Sequence, residues 1–132
     1  MSEIQRHNPT EVASLPQLLS QVVTTGGREL AYLSGQVAWN ADGEPTGVGD
    51  HLAQARQIAA RIDAILESLG SSRRDIVKET IYVVDYAPTL VAELLNTLHG
   101  DVPPASTLVE VKALYHPDYL IEVDLVVALE PH

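Results

Sequence analysis

Between Asp50 and Gly70, apolar residues recur every three or four positions: Leu52, Ala55, Ile58, Ala59, Ile62, Ile65, Leu66 and Leu69. That spacing draws a single stripe along an α-helix. Gln54, Arg56, Gln57, Arg61, Asp63 and Glu67 fall on the other side and are expected to meet solvent. Asp50 is suited to cap the first turn, and Gly70 to stop the last. A shorter helix is predicted from about Pro88 to Leu98. Pro88 fits its first turn, where a missing N–H costs nothing. Leu90, Val91, Leu94, Leu95 and Leu98 make its packing face, and Gly100 lies beyond its end.

Elsewhere the pattern shortens to the two-residue period of strands. Leu19 to Thr25 and Arg28 to Val37 are rich in strand formers and flank Gly26 and Gly27, a pair suited to a tight hairpin turn. Asn40 to Gly49 has the glycines and proline of a loop. Ile76 to Val84, Ser106 to Leu114 and Leu120 to Leu129 supply three more strands, the last two separated by Tyr115 to Tyr119. The predicted order is β-β-α-β-α-β-β. Two helices are too few to cover both faces of a five-stranded sheet, so both are expected on one face, giving an α+β layer.

The last strand then sends Ile121, Val123, Leu125, Val127 and Leu129 toward the helices, and Leu120, Glu122, Asp124, Val126 and Ala128 to the open face. On the preceding strand the same reasoning turns Thr107, Val109, Val111 and Ala113 inward, leaving Ser106, Leu108, Glu110 and Lys112 outside. Apolar residues among the carboxylates make that open face less polar than a solvated sheet requires, so a subunit contact is expected to cover it.

Composition narrows the possibilities. At 132 residues the chain is read as one domain over residues 1–132. No apolar run is long enough to cross a bilayer, the polar start lacks the features of a secretory signal, and cysteine is absent. The expectation is a soluble, cytoplasmic protein without disulfides or thiolate metal sites. A formal charge of −10, with Arg73 and Arg74 the only adjacent basic pair, argues against a nucleic-acid partner. The five histidines, His7, His51, His99, His116 and His132, show no ligand spacing, so no metal is expected.

Four segments carry a family resemblance: YLSGQV, GSSRRDIVKETIYVVD, PASTLVEV and LIEVD, in that order between about Leu19 and Leu129. They resemble the motifs of the RidA/YjgF family of imine and enamine deaminases. The resemblance implies a chorismate-mutase-like fold and a homotrimer with its open sheet faces packed together. It also implies small-molecule clefts between subunits, with neither metal nor organic cofactor. Such deaminases grip a substrate carboxylate with an arginine and position water with a glutamate.

Residue by residue, Glu122 matches that catalytic glutamate and Ser34 the serine of the SGQ motif. Ser106 stands in place of the arginine, Leu108 in place of a cysteine and Leu19 in place of a tyrosine, so the substrate-binding set is read as Ser34, Ser106, Leu19 and Leu108. A serine hydroxyl has nothing like the planar two-pronged donor of a guanidinium. Lys112 lies roughly 20 Å along the strand from Ser106, out of reach within one subunit. Arg28, at the start of the second strand, could enter a cleft from a neighbouring chain, which the sequence leaves open. Two functions stay open: an imine or enamine hydrolase of atypical specificity acting through Glu122, and a non-catalytic metabolite-binding or interaction module on the same trimer.

Overall fold

In a computed structural model, which describes residues 3–99 and 102–131, two helices pack on one face of a four-stranded sheet. The elements in chain order are β1 (Gln5–His7), β2 (Val22–Thr24), β3 (Leu30–Gln36), α1 (His51–Ser68), β4 (Ile76–Val83), α2 (Val91–His99), β5 (Ala105–Glu110) and β6 (Ile121–Ala128). Short 3-10 turns, Arg73–Asp75 and Pro88–Leu90, lead into β4 and α2. The sheet order is β3-β6-β4-β5: β6 runs antiparallel to both its neighbours, whereas β4 and β5 are parallel and joined through α2.

The expected helices form where the apolar spacing places them. Asp50 accepts a hydrogen bond from the Ala53 N–H at 3.0 Å, satisfying one of the unpaired donors of the first turn. Gly70 takes a positive φ of 68° just past Leu69, the conformation that glycine permits at a helix end. Ile58, Ile62 and Leu66 of α1 and Leu94 and Leu98 of α2 close over Ile81, Ile121, Val123 and Val127 in one buried cluster. Gln54, expected among the solvated residues, is fully buried instead. Its amide donates to the Asp118 carbonyl at 2.7 Å and accepts from the Leu120 N–H at 2.8 Å, fastening the approach to β6 onto α1. Gly100 lies outside the described residues, as does His132.

The hairpin expected across Gly26 and Gly27 does not pair its flanks. Both glycines do make a turn, with φ of 62° and 80°. The strand before it, however, is recruited by β1, with Val23 opposite Arg6, so β2 belongs to a separate two-stranded ribbon and the main sheet has four strands. A parallel bridge from Ser20 to Ala105, with the Ser20 N–H donating to the Pro104 carbonyl at 2.9 Å, attaches this ribbon to the entrance of β5.

On β6 the expected inward set Ile121, Val123, Leu125 and Val127 is buried, though Ala128 is buried as well. On β5 the expected faces are reversed. Parallel pairing sets Ser106 opposite Glu79 and Leu108 opposite Ile81. Residues opposite one another share a face of the sheet, and Ile81 is in the core, so Ser106 and Leu108 turn toward the helices. Thr107 and Val109 face outward, Val109 remaining 40% exposed. The strand also ends at Glu110, so Lys112 follows it on a loop.

Candidate functional site

The open face of the sheet collects polar groups from three strands. β4 contributes Lys78, Thr80 and Tyr82, which lie opposite Val126, Asp124 and Glu122 of β6. The Tyr82 hydroxyl donates to Asp124 Oδ2 at 3.2 Å, and Lys78 Nζ donates to Thr107 Oγ1 of β5 at 2.7 Å. Glu122 therefore stands on a rigid central strand, flanked by a second carboxylate two residues on. Partial burial, and next the charge of Asp124, raise its pKa above the ordinary glutamate value.

The SGQ segment of β3 lies against this carboxylate. The ladder between β3 and β6 shifts register between Leu33 and Gln36, an irregularity that displaces the Ser34–Gly35 backbone. A Cβ built on Gly35 would lie 2.6 Å from Glu122 Oε2, so a side chain here would push the carboxylate from its present position. Ser34 is exposed, and its carbonyl accepts from the Gln36 side chain at 3.0 Å. That amide is held in turn by Arg61 of α1, which donates from Nε and Nη2 at 3.3 and 3.2 Å to Gln36 Oε1 and sits 5.2 Å from the Trp39 ring. A chain of contacts thus runs from the helix layer to the strand that faces Glu122.

The remaining expected site residues gather elsewhere. Ser106 is turned to the helix side, opposite to its expected place on the open face, and donates from Oγ to Glu79 Oε2 at 2.8 Å. Leu108 packs against the core. Leu19 adjoins Ser20, whose bridge to Ala105 places it beside the start of β5. Ser34 and Glu122 thus belong to the open face and Ser106 and Leu108 to the helix side, with Leu19 beside the start of β5. Arg28 is committed within its own chain, with Nη1 3.1 Å from Asp75 Oδ1.

Glu79 escaped the sequence reading. It is 1% exposed, Oε1 has no hydrogen-bond partner among the described residues, and His99 Nε2 of α2 lies 3.4 Å from Oε2. Burial pushes its pKa up to about 7 against the opposing effects of Ser106 and Lys78. Its position was readable: in IVKETIYV, period two places Glu79 in the inward set with Val77, Ile81 and Val83. Among the described residues, no group of three histidines, aspartates or glutamates is arranged to hold a metal ion, and no helix is long and apolar enough to cross a membrane.

A two-layer α+β chain with these motifs on its strands defines a family. The model of the family described as endoribonuclease L-PSP matches residues 12–129, and the chain belongs to it, the RidA/YjgF family. A RutC family protein from Pyrococcus horikoshii is 32% identical over 81% of this chain and 83% of its own. The 3-aminoacrylate deaminase RutC of Acinetobacter baylyi is 29% identical over 82% and 86%. Among solved structures, the Rid-family protein YyfB of Yersinia pestis, a protein of unknown function, superposes with a TM-score of 0.88 at 32% identity. That match covers 98% of this chain and 100% of YyfB.

Proposed function

We propose that this chain is a homotrimeric hydrolase of imines or enamines that lack the usual amino-acid carboxylate or carry it elsewhere, with Glu122 as its general base. The observation that carries this reading is the Glu122 carboxylate set against the Gly35 backbone, with a raised pKa and the exposed Ser34 on the adjoining strand. The deaminase activity named for the Acinetobacter relative supports the reaction class. A net charge of −10 argues against RNA as the substrate, although the family is described as an endoribonuclease.

In this reading Glu122 takes a proton from water as the oxygen adds to the imine carbon, while the imine nitrogen gains a proton. The resulting carbinolamine collapses, breaking its C–N bond to release ammonia and leave a carbonyl compound. An enamine first tautomerises to the imine. Ser106 limits the substrate class, because a serine already donating to Glu79 offers a carboxylate no bidentate partner. Within one chain Ser106 and Glu122 lie on opposite faces of the sheet, and the trimer in this proposal rests on the mixed open face that the helices leave uncovered.

The test is hydrolysis of a panel of imines and enamines, with and without a carboxylate, measured on the wild type and on Glu122→Gln. Imines generated from simple amino acids by an amino-acid oxidase, with semicarbazide competing for the imine, should show negligible enzymatic hydrolysis. Carboxylate-free members should be turned over, and Glu122→Gln should slow them by about 100-fold to 10,000-fold while the fold is retained. Activity of the wild type should fall as the pH drops through a pKa above the usual glutamate value, since the base works as the carboxylate. Binding without turnover across the panel would favour the non-catalytic module. A destabilised Glu122→Gln whose folded fraction works at the wild-type rate would assign Glu122 to assembly instead.

A further inference from the structure

Away from the open sheet face, a pocket of about 340 Å³ lies where the N-terminal ribbon, the turn before β4 and the chain leaving β6 meet. Arg6, Arg28 and Arg74 line it, with Glu3, Asp75 and Glu130. Its size is that of a small-ligand site.

Acidic residues outnumber basic ones by 18 to 8, so an arginine in this chain has many carboxylates available to it. Arg28 lies beside two of them, with Nη1 3.1 Å from Asp75 Oδ1 and 3.8 Å from Glu130 Oε1. The other oxygen of Asp75 accepts from the Ser72 N–H at 3.1 Å, so that carboxylate is engaged on both sides. Arg6 and Arg74, by contrast, have no carboxylate within 4.0 Å among the described residues. Arg6 donates only to main-chain carbonyls, from Nε to Pro103 at 3.1 Å and from Nη2 to Arg74 at 2.8 Å. These two bonds fix the plane of the guanidinium without neutralising it. Burial, then the charge of Arg74, lower the Arg6 pKa, with Asp75 opposing them. Two like charges are therefore held together in a polar recess, an arrangement that an anion between them would relieve.

We propose that this pocket binds a small, doubly charged oxyanion, a phosphate group or a compact dicarboxylate, between Arg6 and Arg74. Guanidinium groups present paired N–H donors that match the paired oxygens of either anion. The Arg28–Asp75 ion pair forms a fixed wall beside them. Glu3 and Glu130 are exposed, so solvent screens their repulsion. The site is separate from the one at Glu122: the stretch from Glu122 to Glu130 spans about 27 Å at strand rise. A bound anion here would join the β1–β2 ribbon to the entrance of β4 rather than stand in for the absent arginine on β5.

Calorimetric titration of the whole chain with inorganic phosphate and with malonate, against sodium chloride at matched ionic strength, tests this. Saturable binding of at least one dianion, one per chain, is expected, and the preferred one identifies the source as phosphoryl or dicarboxylate. Arg74→Gln changes an exposed side chain and should weaken binding by about tenfold or more. Arg6→Gln should abolish it, and Arg56→Gln on the exposed side of α1 should leave it unchanged. Should Arg6→Gln fail to fold, Arg74→Gln decides alone. Absence of saturable binding, heats reproduced by chloride, or full affinity in Arg74→Gln would overturn the proposal.

Discussion

Glu79 and Glu122 are both glutamates on the two central strands, yet their surroundings differ. Glu122 meets the outer face, keeps partial contact with water and lies against the Gly35 backbone. Glu79 is enclosed under α2, and burial is what raises its pKa to about 7. Because the folded state holds this proton more tightly than the unfolded chain, whose glutamate titrates near 4.5, stability is greatest at low pH. It falls as pH rises from about 4.5 to about 7 and changes little from this group above that. The loss is on the order of 3 kcal/mol if the whole shift acts on folding. Glu79→Gln should flatten melting temperature against pH across that window and stabilise the protein above pH 7. A variant whose profile still falls in parallel with the wild type would show that another group is responsible. The outward register of Glu122 was legible in the alternation of its strand. The Ser106–Glu79 hydrogen bond was not, because it joins strands separated by a whole helix.

At the scale of elements, the helices were the most readable parts, because a stripe repeating over five turns tolerates few alternatives. Asp50 illustrates how local that information is: its carboxylate accepts from the Ala53 N–H three residues on. Asp50→Ala should cost about 1 kcal/mol of stability, seen as a lowered urea midpoint with unchanged slope. Substituting Asn there should recover most of the loss. β5 shows the opposite case. Both of its alternating sets mix apolar and polar residues, so period two alone leaves its faces undetermined. The parallel ladder with β4 decides them, setting Leu108 against Ile81. The ribbon was misread for a related reason. Gly26 and Gly27 do turn the chain, but a distant three-residue strand, Gln5–His7, is the partner that β2 takes.

For the molecule as a whole, the helices cover one side of the sheet and leave Tyr32, 75% exposed, and Val109 on the other, among carboxylates and threonines. In the proposed assembly three such faces cover one another, and light scattering after size exclusion should return three chain masses. A monomer at micromolar concentration would remove both the trimer and the shared cleft. The strand order β3-β6-β4-β5 has a further consequence, for the timing of folding during synthesis. β6 lies between β3 and β4 yet is made after every other element of the sheet. A growing chain therefore carries β3 without its ladder partner, and β4 with one side unpaired, until the ribosome has added about ninety more residues beyond β3, roughly 5 to 20 seconds at usual elongation rates. During that interval the unpaired edge of β3, joined by that of β4 for about the last forty residues, is open to pairing with other chains until the middle of the sheet arrives.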